Sequence, residues 1–449
     1  MRDETLSIHA GYTTDPVTKS VAVPIYQTVA YEFDSADHGA ALFNLEAPGN
    51  IYSRLGNPTV AVLEQRVAAL ERGREALCVG SGMAAIHYAI ANITEMGTNI
   101  VTLPQIYGAT YTLFNSVFKK QGVDVRFAAS DSPADVEALI DFNTRAVYCE
   151  SIGNPAGNVA DIEALAEVAH RHGVPLIVDN TIASPILLKP INHGADIVVH
   201  SLTKFIGGHG TTMGGAIVDS GRFPWKLHAD KFPMLTQPED AYHDVVYTEQ
   251  YGDSAYIARC RTVCMRNTGA ILPPLSAFML LQGAETLPLR MERHLKNTVA
   301  VAAFLQNHPA VEWCQYLGNV KNPHHLLAKK YLKGQGGSFL TFGIKGGFEA
   351  GKKFYDALKL FKRLVNIGDA KSLATHPAST THRQLTSEQL EQVGVKPEMI
   401  RLSIGIEHMD DIIADLAQAL EAAMLPDAEV PANNNQPGDE AVRTAAGWA

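Results

Sequence analysis

Asp196-Ile197-Val198-Val199-His200-Ser201-Leu202-Thr203-Lys204-Phe205-Ile206-Gly207-Gly208-His209-Gly210 is the stretch whose reading decides the fold. Its β-branched run has strand length and ends in two hydroxyl residues, one lysine, and then glycines that a packed helix would not choose. A lysine is thereby delivered to a strand end, where open α/β sheets bind their ligands. Hydroxyls beside a lysine suit a phosphorylated carbonyl cofactor held as a Schiff base, and pyridoxal 5'-phosphate (PLP) fits that chemistry. A surface lysine after a buried strand accounts for the same residues, so other segments must decide.

Working outward, Val174-Pro175-Leu176-Ile177-Val178 runs into Asp179-Asn180-Thr181. A carboxylate at the end of a buried strand needs a partner, because desolvation without one is costly, and a protonated ring nitrogen would serve. Glu75-Ala76-Leu77-Cys78-Val79 leads into Gly80-Ser81-Gly82-Met83 and a helical run. Strand, glycine turn and helix start present free N–H groups and a positive dipole end, an anion site, although a tight structural turn would read the same way. The pattern is neither GxGxxG nor a P-loop, which weighs against dinucleotide and ATP readings. Ile100-Val101-Thr102-Leu103 ends near Tyr107, whose ring is placed to lie on a flat cofactor or to form part of a rim. Ala146-Val147-Tyr148-Cys149-Glu150 leads into Gly153-Asn154-Pro155, and Asp161 is the expected N-cap of an amphipathic helix that stops at Gly173. The spacing of Val60, Leu63, Val67 and Leu70 predicts a further helix up to Gly73. Repeated β-loop-α order with nearly continuous apolar strands predicts a mainly parallel sheet covered by helices on both faces.

The bulk numbers agree with an enzyme acting on small molecules. A chain of 449 residues exceeds one ordinary core, which predicts two domains with arms or tails. At 46% hydrophobic and 19% charged, with apolar runs too short to span a bilayer, a membrane protein is not expected. A net charge of -10 opposes nonspecific binding of nucleic acid or anionic lipid. Five scattered cysteines without a CxxC pair, and a charged N-terminus, predict a reducing cytoplasm and no export. Neither His324-His325 nor the Cys260/Cys264 pair has a third ligand at metal-binding spacing, so no metal is expected.

Residues 1–60, rich in proline and glycine, read as an extended arm contacting a neighbouring subunit, and Tyr52-Ser53-Arg54 sits in it between turn formers. A guanidinium so displayed suits bidentate binding of phosphate or carboxylate, or is simply solvated. Residues 61–275 are the expected large cofactor domain, in which the aromatic segment 219–256 reads as an inserted loop or lid rather than core. A smaller α+β domain is expected over 276–425, entered through a long helix with Pro288 near its start. Arg401, opening a short apolar strand, is either a clamp for a substrate carboxylate or a salt-bridged edge residue. Residues 426–449 read as a mobile tail.

In this order, from about residue 5 to residue 424, the segments resemble the PLP-dependent enzymes of cysteine and methionine metabolism. That family has the fold-type I architecture of aspartate aminotransferase and includes cystathionine synthases and lyases, methionine γ-lyases and O-acetylhomoserine sulfhydrylases. The resemblance implies that Lys204 carries the cofactor and serves as general base and acid, with Ser201, Thr203, Ser81, Gly82 and Met83 on the phosphate. It implies Tyr107 stacked on the ring with a part in catalysis, Asn154 near the phenolic oxygen and Asp179 on the pyridine nitrogen. Asn366 and Arg401 would meet substrate, and Tyr52 and Arg54 would reach the neighbouring subunit's phosphate. A homo-oligomer follows, a tetramer of two active dimers. The Asn366-Ile367-Gly368-Asp369-Ala370-Lys371-Ser372 run, Ala109 where methionine γ-lyases have cysteine, and the long aromatic segment are similar to the family's sulfhydrylases. They imply replacement of the acetyl ester of O-acetyl-L-homoserine by sulfide, giving homocysteine and acetate, or by methanethiol, giving methionine. A cystathionine γ-synthase or a methionine or cystathionine γ-lyase on the same scaffold is the nearest alternative. A catalytically silent PLP-fold binding protein and a nucleotide-binding protein are alternatives of other classes.

Overall fold

The computed structural model describes residues 1–44, 46–154, 157–380, 383 and 395–425, so Pro155 and the expected tail at 426–449 lie outside the described residues. Seven strands form the larger sheet: β1 (Glu75–Val79), β2 (Asn99–Thr102), β3 (Asp124–Phe127), β4 (Thr144–Glu150), β5 (Leu176–Asp179), β6 (Ile197–Ser201) and β7 (Gly215–Asp219). Their order is β1-β7-β6-β5-β4-β2-β3, and β7 alone runs antiparallel to its neighbours β1 and β6. The remaining ladders, β6 through β3, are parallel.

The continuous apolar strands are explained by how alternate residues divide. Cys78, Val101, Val147, Val178, Val198 and Val218 face one buried layer, which also holds Leu63, Val67 and Leu165. Their sequence neighbours Leu77, Ile100, Tyr148, Ile177, Val199 and Ile217 face a second layer with Ile86, Tyr88 and Ile90. Both faces of the sheet are therefore buried, and no polar position is left for alternation. The fold is a mostly parallel α/β sheet with helices on each side.

The helix predicted up to Gly73 spans Pro58–Glu71. Asn57 caps it by accepting from the Thr59 amide at 3.0 Å, and Arg72 rather than glycine takes the left-handed position that ends it. Asp161 does precede the helix Ile162–Arg171, but its side chain makes no capping bond. It accepts instead from the Tyr331 hydroxyl and from Lys330 at 3.3 Å, so a distant phenol outcompetes the local amides. Among the described residues ahead of the Pro58–Glu71 helix are the helices Asp3–His9 and Ala36–Phe43. The first of these packs on its own chain, where Arg66 Nε donates to the Ala10 carbonyl at 3.0 Å.

One expectation is overturned. Phe223, Trp225, Phe232, Tyr242, Tyr247 and Tyr256 do not form a lid; they are buried members of the second layer. Trp225 stacks on Tyr256 at 5.5 Å between ring centroids and meets Phe232 edge-on at 5.0 Å, a core assembled from short turns rather than from one periodic element.

A second sheet, ordered β10-β11-β12-β9-β8, contains β8 (Val311–Gln315), β9 (Phe339–Ile344), β10 (Lys362–Arg363), β11 (Leu373–Thr375) and β12 (Met399–Ser403). Helices Gly347–Ala357 and Met409–Met424 cover one face, packing Phe354 and Leu416 on Phe342, Ile400 and Leu402. With Ile400 and Leu402 turned to that core, strand alternation sends Arg401, mid-strand rather than at the strand's opening, to the opposite face.

Candidate active site

At the carboxyl ends of β4, β5 and β6 lies a cavity of about 240 Å³. It gathers Ser81, Gly82, Met83, Tyr107, Asn154, Asp179, Ser201, Thr203, Lys204, Asn366 and Arg401, residues drawn from both sheets and scattered over most of the chain.

Lys204 follows β6 in a turn closed by Gly207 N to Leu202 O at 2.8 Å and Gly208 N to Lys204 O at 2.7 Å. Gly208 has φ +69° there, and a Cβ on it would stand 2.0 Å from Arg290 Nη1, so glycine is required twice over. Arg290, buried, donates to the carbonyls of Phe205 at 2.7 Å and Ile206 at 3.1 Å, pinning the residues that follow the lysine. Lys204 Nζ donates to Asn366 Oδ1. Burial, and then the Arg401 charge, bring the amine down to about 8. The neutral amine is the nucleophile toward an aldehyde. Capture of PLP by cofactor-free protein should therefore speed up about tenfold per pH unit below 8 and level off above it, as followed by stopped-flow absorbance. A rate still climbing toward the ordinary lysine value of 10.5 would contradict this environment.

One end of the cavity is built by backbone. Helix Gly82–Ala91 starts beside Ser201, so closely that a Cβ on Gly82 would be 2.7 Å from Ser201 Cβ. Ser81 caps it through Oγ, accepting from Ala84 N at 3.1 Å, and the first helical amides have no acceptor within the helix. Those amides, the helix dipole and the hydroxyls of Ser201 and Thr203 line one end of the cavity.

Two carboxyl groups, buried Glu150 and half-buried Asp179, lie side by side at the strand ends, since they are direct partners across β4 and β5. Asp179 accepts from Thr181 N at 2.9 Å, and Thr181 Oγ1 accepts from Ser201 N at 2.8 Å. Burial raises both carboxyls, and the charge of Asp179 raises Glu150 further; hydrogen bonds from Thr181 to Asp179, and from the Tyr107 and Asn154 amides to Glu150, act in the opposite sense. Across the cavity Arg401 is 8% exposed and donates to Asn154 Oδ1 at 3.1 Å, Asn366 O at 3.1 Å and Thr375 Oγ1 at 3.2 Å. Burial brings its guanidinium down to about 10. Its hydrogen-bond partners are all neutral among the described residues, so an edge salt bridge is not its role here. A carboxyl pair and a buried guanidinium whose hydrogen-bond partners are neutral, lining one cavity with a helix N-terminus, fit a phosphorylated pyridine aldehyde together with an amino acid.

Tyr52 and Arg54 are not brought to this cavity. Arg54 lies over the Tyr52 ring, 5.2 Å from its centroid, and donates to the Arg266 carbonyl at 2.5 Å. Several lining residues carried no assignment in the sequence. Glu150 and Thr181 were detectable, the first as another carboxylate closing an apolar strand and the second as a hydroxyl two places beyond Asp179. Ile152, Ile182, Val365 and Ile367, which form apolar wall, carried no local signal.

A lysine at a strand end of a doubly covered sheet, with anion sites at both ends of its cavity, places the molecule among fold-type I PLP enzymes. The family model described as Cys/Met metabolism PLP-dependent enzyme matches residues 4–421, and the chain belongs to that family. It is 52% identical over 421 residues to a homocysteine synthase of Schizosaccharomyces pombe, covering 94% of this chain and 98% of that protein. It is 50% identical over 422 residues to O-acetyl-L-homoserine sulfhydrylase 1 of Thermus thermophilus, covering 94% of this chain and all of that protein. A crystal structure described as an O-acetylhomoserine (thiol)-lyase from Campylobacter jejuni superposes with a TM-score of 0.90 at 42% identity, over 94% of this chain and 100% of that one. That structure carries N'-pyridoxyl-lysine-5'-monophosphate at its position 205.

Proposed function

We infer that this protein is a PLP-dependent transferase that converts O-acetyl-L-homoserine and sulfide into L-homocysteine and acetate. The observation that carries the reading is the meeting of Lys204, Asp179 and Arg401 in one cavity of a chain about half identical, over nearly its whole length, to proteins named for that reaction.

When bound, PLP supplies an electron sink for the charge left on Cα. Ser81, Gly82, Met83, Ser201 and Thr203 would hold its phosphate, Asp179 the ring nitrogen, Asn154 the phenolic oxygen and Tyr107 the ring face. Arg401, aided by Asn366, would hold the substrate carboxylate, which keeps Cα and Cβ within reach of Lys204. Lys204 would take the Cα proton and return protons at the end, as a base near pH 8 can do. Loss of a Cβ proton expels acetate by breaking the Cγ–O bond, and the sulfur nucleophile then forms the Cγ–S bond. Tyr107 would assist exchange at the amine. Methanethiol in place of sulfide gives methionine by the same sequence. Ile152, Ile182, Val365 and Ile367 would keep water from the reacting carbons.

The finer assembly reading is a homotetramer of two active dimers, in which Tyr52 and Arg54 complete the neighbour's phosphate site. Their position outside their own cavity supports it. Among the described residues no helix is long and apolar enough to cross a membrane, and a cytoplasmic location is our reading of the cysteine pattern. The division into residues 61–275 and 276–425 is likewise our reading, supported by the two sheets.

Arg401→Ala should raise KM for O-acetylhomoserine by about 10- to 100-fold, the worth of a charged hydrogen bond of about 1.5–3 kcal/mol. An unchanged KM for the amino acid would remove Arg401 from the carboxylate. The function itself is tested by product analysis with O-acetylhomoserine, O-succinylhomoserine, O-acetylserine and methionine, each with sulfide, methanethiol or cysteine. Homocysteine and acetate from O-acetylhomoserine and sulfide are expected. Ammonia with an oxoacid as the main products would make it a lyase, and cystathionine a synthase.

A further inference from the structure

Glu150 has no part in the chemistry derived above, yet it is one of the most constrained side chains in the cavity. It is 6% exposed at the end of β4, beside Asp179, and its two oxygens are taken by two backbone amides. Oε1 accepts from Tyr107 N at 2.5 Å and Oε2 from Asn154 N at 3.2 Å. Those amides belong to different loops, one after β2 and one after β4, and each loop carries a side chain assigned to the cofactor ring. Asn154 passes the contact on, since its Oδ1 accepts from Arg401 Nη1 at 3.1 Å.

An acidic residue in this position is costly. Burial penalises its charge and Asp179 repels it, so a strand end needing only bulk would be better served by an apolar residue. What a carboxyl provides is two acceptors at fixed spacing: ionised or protonated, both oxygens accept an N–H, whereas in a glutamine one of the two positions becomes a donor. Tyr107, by contrast, is 44% exposed and is tied to the body of the site by its amide rather than by packing of its ring.

We propose that Glu150 is a positioning residue: it fixes the spacing of the Tyr107 and Asn154 loops, and so sets the tilt of the cofactor ring between them and, through Asn154, the aim of Arg401. The inference rests on the reading that this cavity holds PLP. Residues touching the ring then depend on a brace beneath them that itself touches none of the reacting atoms.

The test compares wild-type, Glu150→Gln and Glu150→Ala holoproteins. Both variants retain Lys204, so the visible cofactor band should persist. Its induced circular dichroism per bound cofactor should fall, the PLP dissociation constant should rise about tenfold as the Tyr107 and Asn154 loops lose their shared acceptor, and KM should rise more for O-acetylhomoserine than for sulfide. Glu150→Gln, which keeps the shape and one acceptor, should lie between wild type and Glu150→Ala. Variants that melt earlier but keep wild-type visible dichroism, PLP affinity and both KM values would show Glu150 to be structural only and overturn the proposal. Amide hydrogen exchange in the wild-type holoprotein supplies a readout independent of variant folding: the amides of Tyr107 and Asn154 should be protected, and rapid exchange at both would overturn it too. If wild type shows no visible band with added PLP, the cofactor reading itself has failed and this inference falls with it.

Discussion

Lys204→Ala should lose its visible cofactor band and its turnover together, by at least the 10²- to 10⁴-fold that a positioned acid-base group contributes. Lys204 is the sole lysine among the residues lining the cavity, so no neighbouring amine can form the covalent link or move the Cα proton in its place. The variant should still fold. Its amine is destabilised in the charged form by burial and by Arg401, and what is lost is a single hydrogen bond to Asn366. Melting temperature and far-UV dichroism therefore separate the chemical loss from unfolding. Turnover of O-acetylhomoserine and sulfide within tenfold of wild type would remove Lys204 from the mechanism.

Asp179→Asn is the second large effect. The amide can still accept from Thr181 N through its oxygen, so the end of β5 should keep its shape. The negative charge proposed to face the ring nitrogen is lost, and removing one member of a buried charge pair costs about 3–5 kcal/mol. At about 1.4 kcal/mol per tenfold, kcat for homocysteine formation should fall on the order of 10²- to 10³-fold while KM for sulfide changes little. Nitrogen-15 NMR of labelled cofactor should show the ring nitrogen protonated in wild type and unprotonated in the variant. A kcat within threefold of wild type would mean that another group holds the ring proton.

How far the sequence could be read depended on whether a residue's role was local. The stretch around Lys204, Asp179 after its apolar strand, and Ser81-Gly82-Met83 before a helix are each positioned by the element they belong to, and all three meet in the cavity. Arg401 was read at the opening of its strand and stands mid-strand, where alternation sends it away from the core of Ile400 and Leu402. Glu150 was visible as a carboxylate closing an apolar strand, but its role was not, because its partners are backbone amides, which leave no trace in residue type. The aromatic segment was misread for a related reason: Phe223 and Trp225, 4.5 Å apart, sit in a loop and at the start of a four-residue 3-10 helix, too short to show a periodicity that would announce their burial. Asp161 had the right identity for a cap and the wrong partner, Tyr331, which approaches from 170 residues away. Tyr52 and Arg54 are proposed to serve a second copy of the chain, and one copy shows only that they lie outside this cavity.

The central claim is that Lys204 is the residue that carries the cofactor. Reducing the holoprotein with borohydride and mapping the labelled peptide by mass spectrometry tests it directly. The structure predicts a pyridoxyl group on Lys204 and on no other lysine; a label elsewhere, or none after PLP is supplied, would contradict the account.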